Sequence, residues 1–258
     1  MRRLRLGMMA GGGISPAAAF LAAAGITDPT ITAAINTLVS DLVGYGIWNK
    51  MLAIYPFVGG TAVTHKFNLK DPRDLDAAFR LAFSGGLTHN ANGVTGNGVN
   101  GTANTFFNPA IQGVSLSSFG MGVYSRTNSE ENKADIAGGA GAETVLFALR
   151  GNFGIAANTI IHRIFSGLGT LTSAGATSSL GYYSQHRIVL ASINVNQNTI
   201  LSTKSQTAQS ITNTNITLIG NSGRNYAFAY LSEGLSTIED GNLRTAVQAF
   251  QTTLGRQV

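Results

Sequence analysis

The chain has 258 residues, 44% of them hydrophobic, so it can bury a sizeable core in one main domain. Charged residues make up 11% of it, against roughly 25% in ordinary soluble proteins, which disfavours a cytosolic enzyme and indicates a surface covered by other proteins or a particle-borne β protein. It has no cysteine, which excludes disulfides and thiolate metal sites.

The formal charge of +5 does not by itself indicate a nucleic-acid partner. Apart from Arg2, Arg3 and Arg5, the Lys and Arg residues are scattered, without the contiguous basic face and interleaved aromatics that nucleic-acid binding needs. No apolar run reaches the roughly 18 residues of a membrane span. We therefore expect neither a nucleic-acid partner nor a membrane span.

The N-terminal segment combines a basic start, an apolar middle and small residues, as a secretory signal does. We expect it instead to be retained as an arm, residues 1–13, in which Arg2, Arg3 and Arg5 anchor the protein to a particle. Ser15 and Pro16 then predict a short Ala-rich helix. The predicted division is an anchoring region, 1–27, and a main domain, 28–258. We expect the main domain to stay folded when residues 1–25 are deleted.

A second helix is predicted to begin at Asp28 and Pro29 and to end at Gly44. Its apolar residues recur at i, i+4, i+7 and i+11 and form one stripe: Ile31, Ile35, Leu38 and Leu42. After it, residues 45–81 join the helical part to a region of period-two alternation. That joint contains Trp48 and the apolar run 51–55, which is typical of a strand entering a sandwich core.

The rest of the chain predicts closely spaced strands with turn residues between them. They cover 78–83, 105–107, 116–126, 144–150, 159–166, 180–184, 186–194, 199–203, 214–220 and 225–232. In 116–126, Phe119, Met121 and Val123 share one face, which predicts a half-buried strand. Residues 88–105 are expected to be a loop with one short strand in it, and the acidic segment 128–141 is expected to be an exposed loop.

The last predicted element is an amphipathic helix. Ser236 and Glu239 form a capping box, followed by an apolar stripe at Leu243, Val247, Phe250 and Leu254. Together the elements predict a mainly β fold, an antiparallel β-sandwich or jelly roll with N-terminal helices and a C-terminal amphipathic helix laid against its outside.

Two stretches carry a family resemblance: WNKMLAIYPFVGGTAVTHKFNLKDPRDLDAAFRLAFSGG (48–86) and FAYLSEGLSTIEDGNLRTAVQAFQTTLGRQV (228–258). Both resemble bacteriophage virion and prophage proteins with a concanavalin A-like (laminin G-like) jelly roll. Over roughly 28–258, the resemblance implies a virion surface protein of a tail fibre, spike or head fibre that touches host glycans. It implies no catalytic residues.

The sequence gives no strong signal for a cofactor, metal or catalytic site. Residues 96–101 spell G-x-G-x-x-G, but Asn-rich loops flank them where a dinucleotide site needs a strand and a helix. The four histidines, His65, His89, His162 and His186, lack metal-ligand spacing. We therefore expect no cofactor and no metal.

Glycoside hydrolysis on this fold remains an alternative, since retaining enzymes need two carboxyls about 5 to 5.5 Å apart. Glu131 and Asp135 have a suitable sequence spacing but fall in the Gly-rich segment, and Glu143 has no acidic partner at i+2 or i+4. The Glu-x-Asp-x-x-Glu pattern of hydrolases with this fold is absent. We expect no enzyme activity.

Glycan recognition would need aromatic platforms and polar groups for sugar hydroxyls. The candidates are Asn97, Asn100, Tyr124, Tyr182, Tyr183 and Tyr226, although packing in the core is an alternative role for each tyrosine. Tyr182 and Tyr183 are adjacent and should face opposite sides of a strand.

The sequence thus favours a non-enzymatic virion structural protein, a fibre, spike or decoration component anchored by its N-terminus. Expected partners are other virion proteins, further copies of the chain in a homo-oligomer such as a trimer, and host-surface carbohydrate. The alternatives are a glycan-degrading hydrolase and a purely architectural capsid or tail protein that binds no sugar.

Overall fold

The structure is a computed structural model and describes residues 14–139, 144–151, 157–167, 171–173 and 176–258. The helices in these residues are α1 (Pro16–Ala24), α2 (Pro29–Gly44), α3 (Ala62–His65) and α4 (Thr237–Thr253). Two short 3₁₀ turns, Trp48–Lys50 and Asp76–Ala78, lie between α2 and the second strand.

The described residues contain fifteen strands, numbered in chain order. They are β1 (Met51–Tyr55), β2 (Ala82–Ser84), β3 (Leu87–Asn90), β4 (Gly93–Gly96), β5 (Thr102–Asn104), β6 (Phe119–Ser125), β7 (Ile136–Gly138), β8 (Thr144–Gly151), β9 (Thr159–Ser166), β10 (Leu171–Ser173), β11 (Gly181–Val189), β12 (Ser192–Gln197), β13 (Ile200–Ser205), β14 (Thr217–Leu218) and β15 (Asn225–Ser232).

The strands form two sheets. One, the helix-covered sheet, has the order β13-β12-β11-β6-β15-β4-β3, with β1 also paired to β15. The other, the outer sheet, has the order β10-β9-β8-β7-β14-β5-β2. The named strands pair antiparallel throughout the described residues. The molecule is therefore a mainly β, jelly-roll-like antiparallel sandwich, as predicted.

Two hydrophobic clusters show that the molecule has three layers. One cluster lies between the two sheets and includes Phe119, Met121 and Val123 of β6. The other lies between the helix-covered sheet and the helices α1, α2 and α4, which we call the helical layer. Because the centre of the helix-covered sheet is packed on both faces, β6 is buried along its whole length rather than half-buried as predicted.

The helices begin where the sequence places their caps. Ser15, Asp28 and Ser236 each accept a hydrogen bond from the third residue after them, and Pro16 and Pro29 follow the first two caps. The predicted α2 stripe is buried except for Ile31, which is partly exposed. Helix α1 belongs to the same cluster, so a cut at residue 27 would divide one packed layer.

Three local predictions were wrong. The segment 128–141 is not a simple exposed loop, because it contains β7 and the fully buried Asp135. The strands predicted at 180–184 and 186–194 divide instead at residues 190–191. Gln185 has hydrogen-bond partners between the sheets and His186 has one on the helical side, so neither residue turns the chain. Where one short strand was expected in residues 88–105, the structure has β4, β5 and most of β3, which begins at Leu87.

Candidate functional site

The four tyrosines proposed as sugar platforms belong to the core. Tyr124, Tyr182, Tyr183 and Tyr226 are 0–3% exposed. Tyr124 and Tyr182 face the helical layer, and Tyr183 and Tyr226 lie between the sheets, so Tyr182 and Tyr183 do point to opposite sides. A buried ring cannot stack on a ligand from solvent, and this burial fits the core-packing role that the sequence left as the alternative for each of these tyrosines.

Asn97 and Asn100 are exposed, but their amides hold their own loop together. Asn97 Oδ1 accepts from the backbone amides of Val99 and Asn100, both at 3.0 Å, and its Nδ2 donates to Asn100 Oδ1 at 2.9 Å. Asn100 Oδ1 also accepts from the Gly86 amide. These side chains shape the turn between β4 and β5 and are not gathered with the tyrosines. The proposed anchoring residues Arg2, Arg3 and Arg5 lie outside the described residues.

The residue types of a hydrolytic triad meet under α4, but they form a closed polar network. Ser184 Oγ donates to both carboxylate oxygens of Asp240 at 2.9 Å, and Tyr182 Oη donates to Oδ1 at 2.7 Å. His186 Nε2 lies 3.2 Å from the same oxygen. Each of these side chains is at most 1% exposed, so no substrate reaches them. The network joins α4 to β11.

Two further contacts complete this network. The Leu235 amide lies 3.4 Å from His186 Nδ1, and His186 Nε2 lies 2.9 Å from Tyr230 Oη. Burial opposes ionisation of Asp240, but His186 and the surrounding donors outweigh it and lower the pKa of this carboxyl. Asp240 is therefore an ionised, hydrogen-bonded anchor of α4.

The acidic pair Glu131 and Asp135, considered for hydrolysis, is also held by structural contacts. Asp135 is fully buried, accepts from the Leu149 amide at 2.6 Å and faces Arg224 Nη1 at 3.1 Å. Glu131 Oε2 accepts from the Gly223 amide at 2.8 Å. These bonds join the β6–β7 connection to β8 and to the start of β15, and they leave no open pair of carboxyls at this position.

His65 and His89, which are distant in sequence, form a pair. Their Nδ1 atoms are 3.0 Å apart, a hydrogen-bond distance, and His65 is 1% exposed. Burial is the main reason that the pKa of His65 falls to about 3, with the charge of Arg256 adding to the shift. Within the described part of the chain, no three His, Cys, Asp or Glu side chains group as a metal site would require.

One cleft of about 730 Å³ opens where the helical layer meets the sandwich. Four segments line it: the α1–α2 turn, the turn between β1 and α3, the β3–β4 turn, and the end of α4. We call this cleft, lined by residues 25–28, 30–31, 58–60, 64, 91 and 253–256, the helix-end cleft. Its volume is in the range of small-molecule sites, about 300–1,000 Å³.

Arg256 fixes three walls of the helix-end cleft. Its guanidinium donates to the carbonyl oxygens of Phe57 at 2.8 Å, Pro56 at 3.2 Å and Ala91 at 3.5 Å, while Nε donates to Gln251 Oε1 at 2.9 Å. The end of α4 is thereby tied to the β1–α3 and β3–β4 turns. Cap and turn signals mark several of the lining positions in the sequence, but they do not show that separate segments converge.

No family model and no curated protein matches the chain. Among solved structures, the chain is similar to the crystal structure of the botulinum neurotoxin serotype D binding domain, with a TM-score of 0.51 and 9% sequence identity. The match covers 78% of this chain and 52% of that chain, so the chain spans about half the length of that structure. At this identity the similarity shows the fold alone, an antiparallel β-sandwich.

Proposed function

We propose that the chain is a non-enzymatic structural protein of a bacteriophage virion, a fibre, spike or decoration component that displays a lectin-like sandwich to host-surface glycans. The observation that carries the proposal is a β-sandwich backed by one helical layer. The resemblance of residues 48–86 and 228–258 to phage jelly-roll proteins supports the virion assignment. The solved structure of similar fold is named a binding domain, which agrees with a role in attachment.

Anchoring by the N-terminus is consistent with the way the first described residues leave the body. Ile14 is 79% exposed, and α1, which follows it, packs Phe20 and Leu21 into the helical layer. An arm joined at this point is attached to a firmly packed element. Arg2, Arg3 and Arg5 give the arm a positive charge suited to an acidic socket on a neighbouring virion protein.

The anchoring test should remove the arm and keep α1. Deletion of residues 1–25 would expose the core, because Phe20 is 0% and Leu21 8% exposed, so that deletion is not a clean test of anchoring. Deletion of residues 1–13 removes no helix. In cells that produce the particles, we expect the chain lacking 1–13 to stay folded and to be missing from purified virions.

A charge-matched pair of variants sharpens this test. Replacing Arg2, Arg3 and Arg5 together by Ala should reduce incorporation at least tenfold, whereas replacing all three by Lys should retain most of it. Quantitative immunoblotting of purified particles measures both. Equal incorporation of the triple-Ala variant and the unmodified chain would refute the anchoring role.

Three readouts distinguish the proposed role from its alternatives. Binding of the purified chain to a glycan array supports an attachment protein, and the absence of binding supports a purely architectural one. Release of reducing sugar from host polysaccharide would identify a hydrolase instead. Light scattering on the purified chain tests the predicted homo-oligomer and its trimeric form.

The proposed partners are virion proteins, further copies of this chain and carbohydrate. In the described ranges, no helix is both long and apolar enough to cross a bilayer.

A further inference from the structure

We propose that the helix-end cleft binds a neutral, polyhydroxylated ligand, a short saccharide without acidic groups. This inference deepens the proposed glycan-binding role by giving it a site, but the site does not depend on where the protein is located. The argument follows from the charges, the hydroxyl groups and the rigidity of the cleft.

The cationic side chain that lines the cleft, Arg256, is already engaged by the protein. Arg256 is 2% exposed and directs its N–H groups to backbone carbonyls and Gln251, so it has no donor left for a ligand anion. The positive end of α2 is capped by Asp28, whose Oδ1 accepts from the Ile31 amide at 2.9 Å. An acidic ligand would meet the Asp28 carboxylate without a free cation, which favours a neutral one.

The groups that remain available suit sugar hydroxyls. Asp28 Oδ2 is left as a charged acceptor beside the exposed hydroxyls of Thr27 and Thr30. Thr253 on the opposite wall donates to the Ala249 carbonyl and can still accept. Charge-assisted bonds from hydroxyls to a carboxylate are short and comparatively strong. These groups can therefore recognise several hydroxyls of one ring.

Aliphatic side chains supply the apolar part of the cleft. Ile26 and Val58 are buried at its base, and Ile31 and Leu254 are partly buried beside the polar groups. The C–H face of a sugar ring can pack on such side chains and lose its contact with water. The cleft thus pairs an apolar wall with a hydroxyl-binding rim.

The cleft is also held in shape before any ligand arrives. Arg256 fixes three walls, and the β1–α3 turn is confined because a Cβ on Gly59 would lie 2.8 Å from Thr64. Gly59 and Gly60 both have positive φ, +88° and +77°, so this turn requires glycine. A preformed site avoids part of the ordering cost of binding.

The test uses the full chain and two matched panels of probes. The neutral panel is maltose, cellobiose, lactose and N,N′-diacetylchitobiose, and the acidic panel is sialyllactose and digalacturonate. Saturation-transfer NMR and calorimetry should detect binding of at least one neutral probe. No acidic probe should bind more tightly than that neutral probe does. Tighter binding of an acidic probe, or no binding of any neutral probe at millimolar concentration, would overturn the proposal.

Variants locate the binding in the cleft. Asp28→Asn keeps a side-chain cap, since Asn caps helices as well as Asp, but removes the charged acceptor, and we expect Kd to rise at least tenfold. Thr30→Val should raise Kd about threefold to tenfold by removing one hydroxyl. Thr37→Val, also exposed on α2 but outside the cleft, is the control and should bind as the unmodified chain does.

Circular dichroism melting confirms that all three variants are folded. Unchanged binding by Asp28→Asn and Thr30→Val together would place the sugar elsewhere and refute this site. Because virion incorporation is measured separately, failure here leaves the anchoring role unaffected, and failure of anchoring leaves this site unaffected.

Discussion

At the scale of single residues, three almost fully buried arginines hold distant segments together. Arg224 faces Asp135, whereas Arg187 and Arg256 donate mainly to backbone carbonyls. Burial lowers the pKa of Arg187 to about 10 and that of Arg256 to about 9, so both stay charged at neutral pH. Their contribution is to satisfy carbonyls that would otherwise be buried without donors.

Replacing Arg256 by Met should lower the free energy of unfolding by about 2–4 kcal/mol. The substitution keeps an apolar stem but leaves the carbonyls of Pro56, Phe57 and Ala227 without this donor. Urea unfolding followed by tryptophan fluorescence measures the loss. Arg73→Met, at an exposed ion pair, is the control and should unfold at the same urea concentration as the parent. An Arg256→Met variant as stable as the parent would contradict this role.

At the scale of elements, glycines on β6 make room for residues of the neighbouring strands β11 and β15. A Cβ on Gly122 would lie 2.5 Å from Tyr230 Cε1 and 2.7 Å from the Tyr183 carbonyl oxygen. A Cβ on Gly120 would lie 1.9 Å from His186 Nδ1. The side chains that cover this face therefore require a strand with almost no side chain of its own at these two positions.

Gly122→Ala should destabilise the protein by about 1–3 kcal/mol, because Tyr230 must move to make room. The opposite result is expected for Gly241 of α4, where an added Cβ would meet no atom within 4 Å. There, Gly241→Ala should stabilise the helix by about 0.5–1 kcal/mol. Thermal unfolding of the parent and the two variants shows whether each substitution lowers or raises the stability. A stabilised Gly122→Ala would show that this packing is looser than described.

Elements whose signals are local could be predicted from the sequence alone. The caps at Asp28 and Ser236 place α2 and α4, and the strands at 159–166 and 225–232 have the predicted bounds. Burial of the tyrosines could not be predicted, because it depends on which face of β6, β11 and β15 the helical layer covers. The helix-end cleft was missed for the same reason, since its walls are far apart in the chain.

At the scale of the whole molecule, the buried histidines make stability depend on pH. Burial lowers the pKa of both His65 and His162 from 6.5 to about 3. Each of these histidines therefore becomes protonated near pH 6.5 in the unfolded chain, but only near pH 3 in the folded chain. The free energy of unfolding is not reduced by these two groups above pH 6.5, and it decreases as the pH falls from there towards 3.

Between pH 7 and pH 5 we expect a loss of about 2 kcal/mol for each of these two histidines. Urea unfolding at the two pH values measures it. For His65→Gln, the free energy of unfolding should fall between pH 7 and pH 5 by about half as much as it does for the parent, whatever the stability of the variant at pH 7. A parent protein equally stable at pH 5 and pH 7 would show that these rings are not held neutral.

The pairing of β1 with β15, and of α2 with α4, sets the order in which the chain can fold during synthesis. β1 ends about 170 residues before its partner β15 begins, and α2 ends about 190 residues before its partner α4 begins, so both leave the ribosome long before their partners are made. Until then the aromatic face of β6 and β11 has no cover, and it is open to chaperones or to premature association with other copies. Stalled nascent chains ending before residue 225 should be cut readily by protease, and protection should begin only when α4 has emerged.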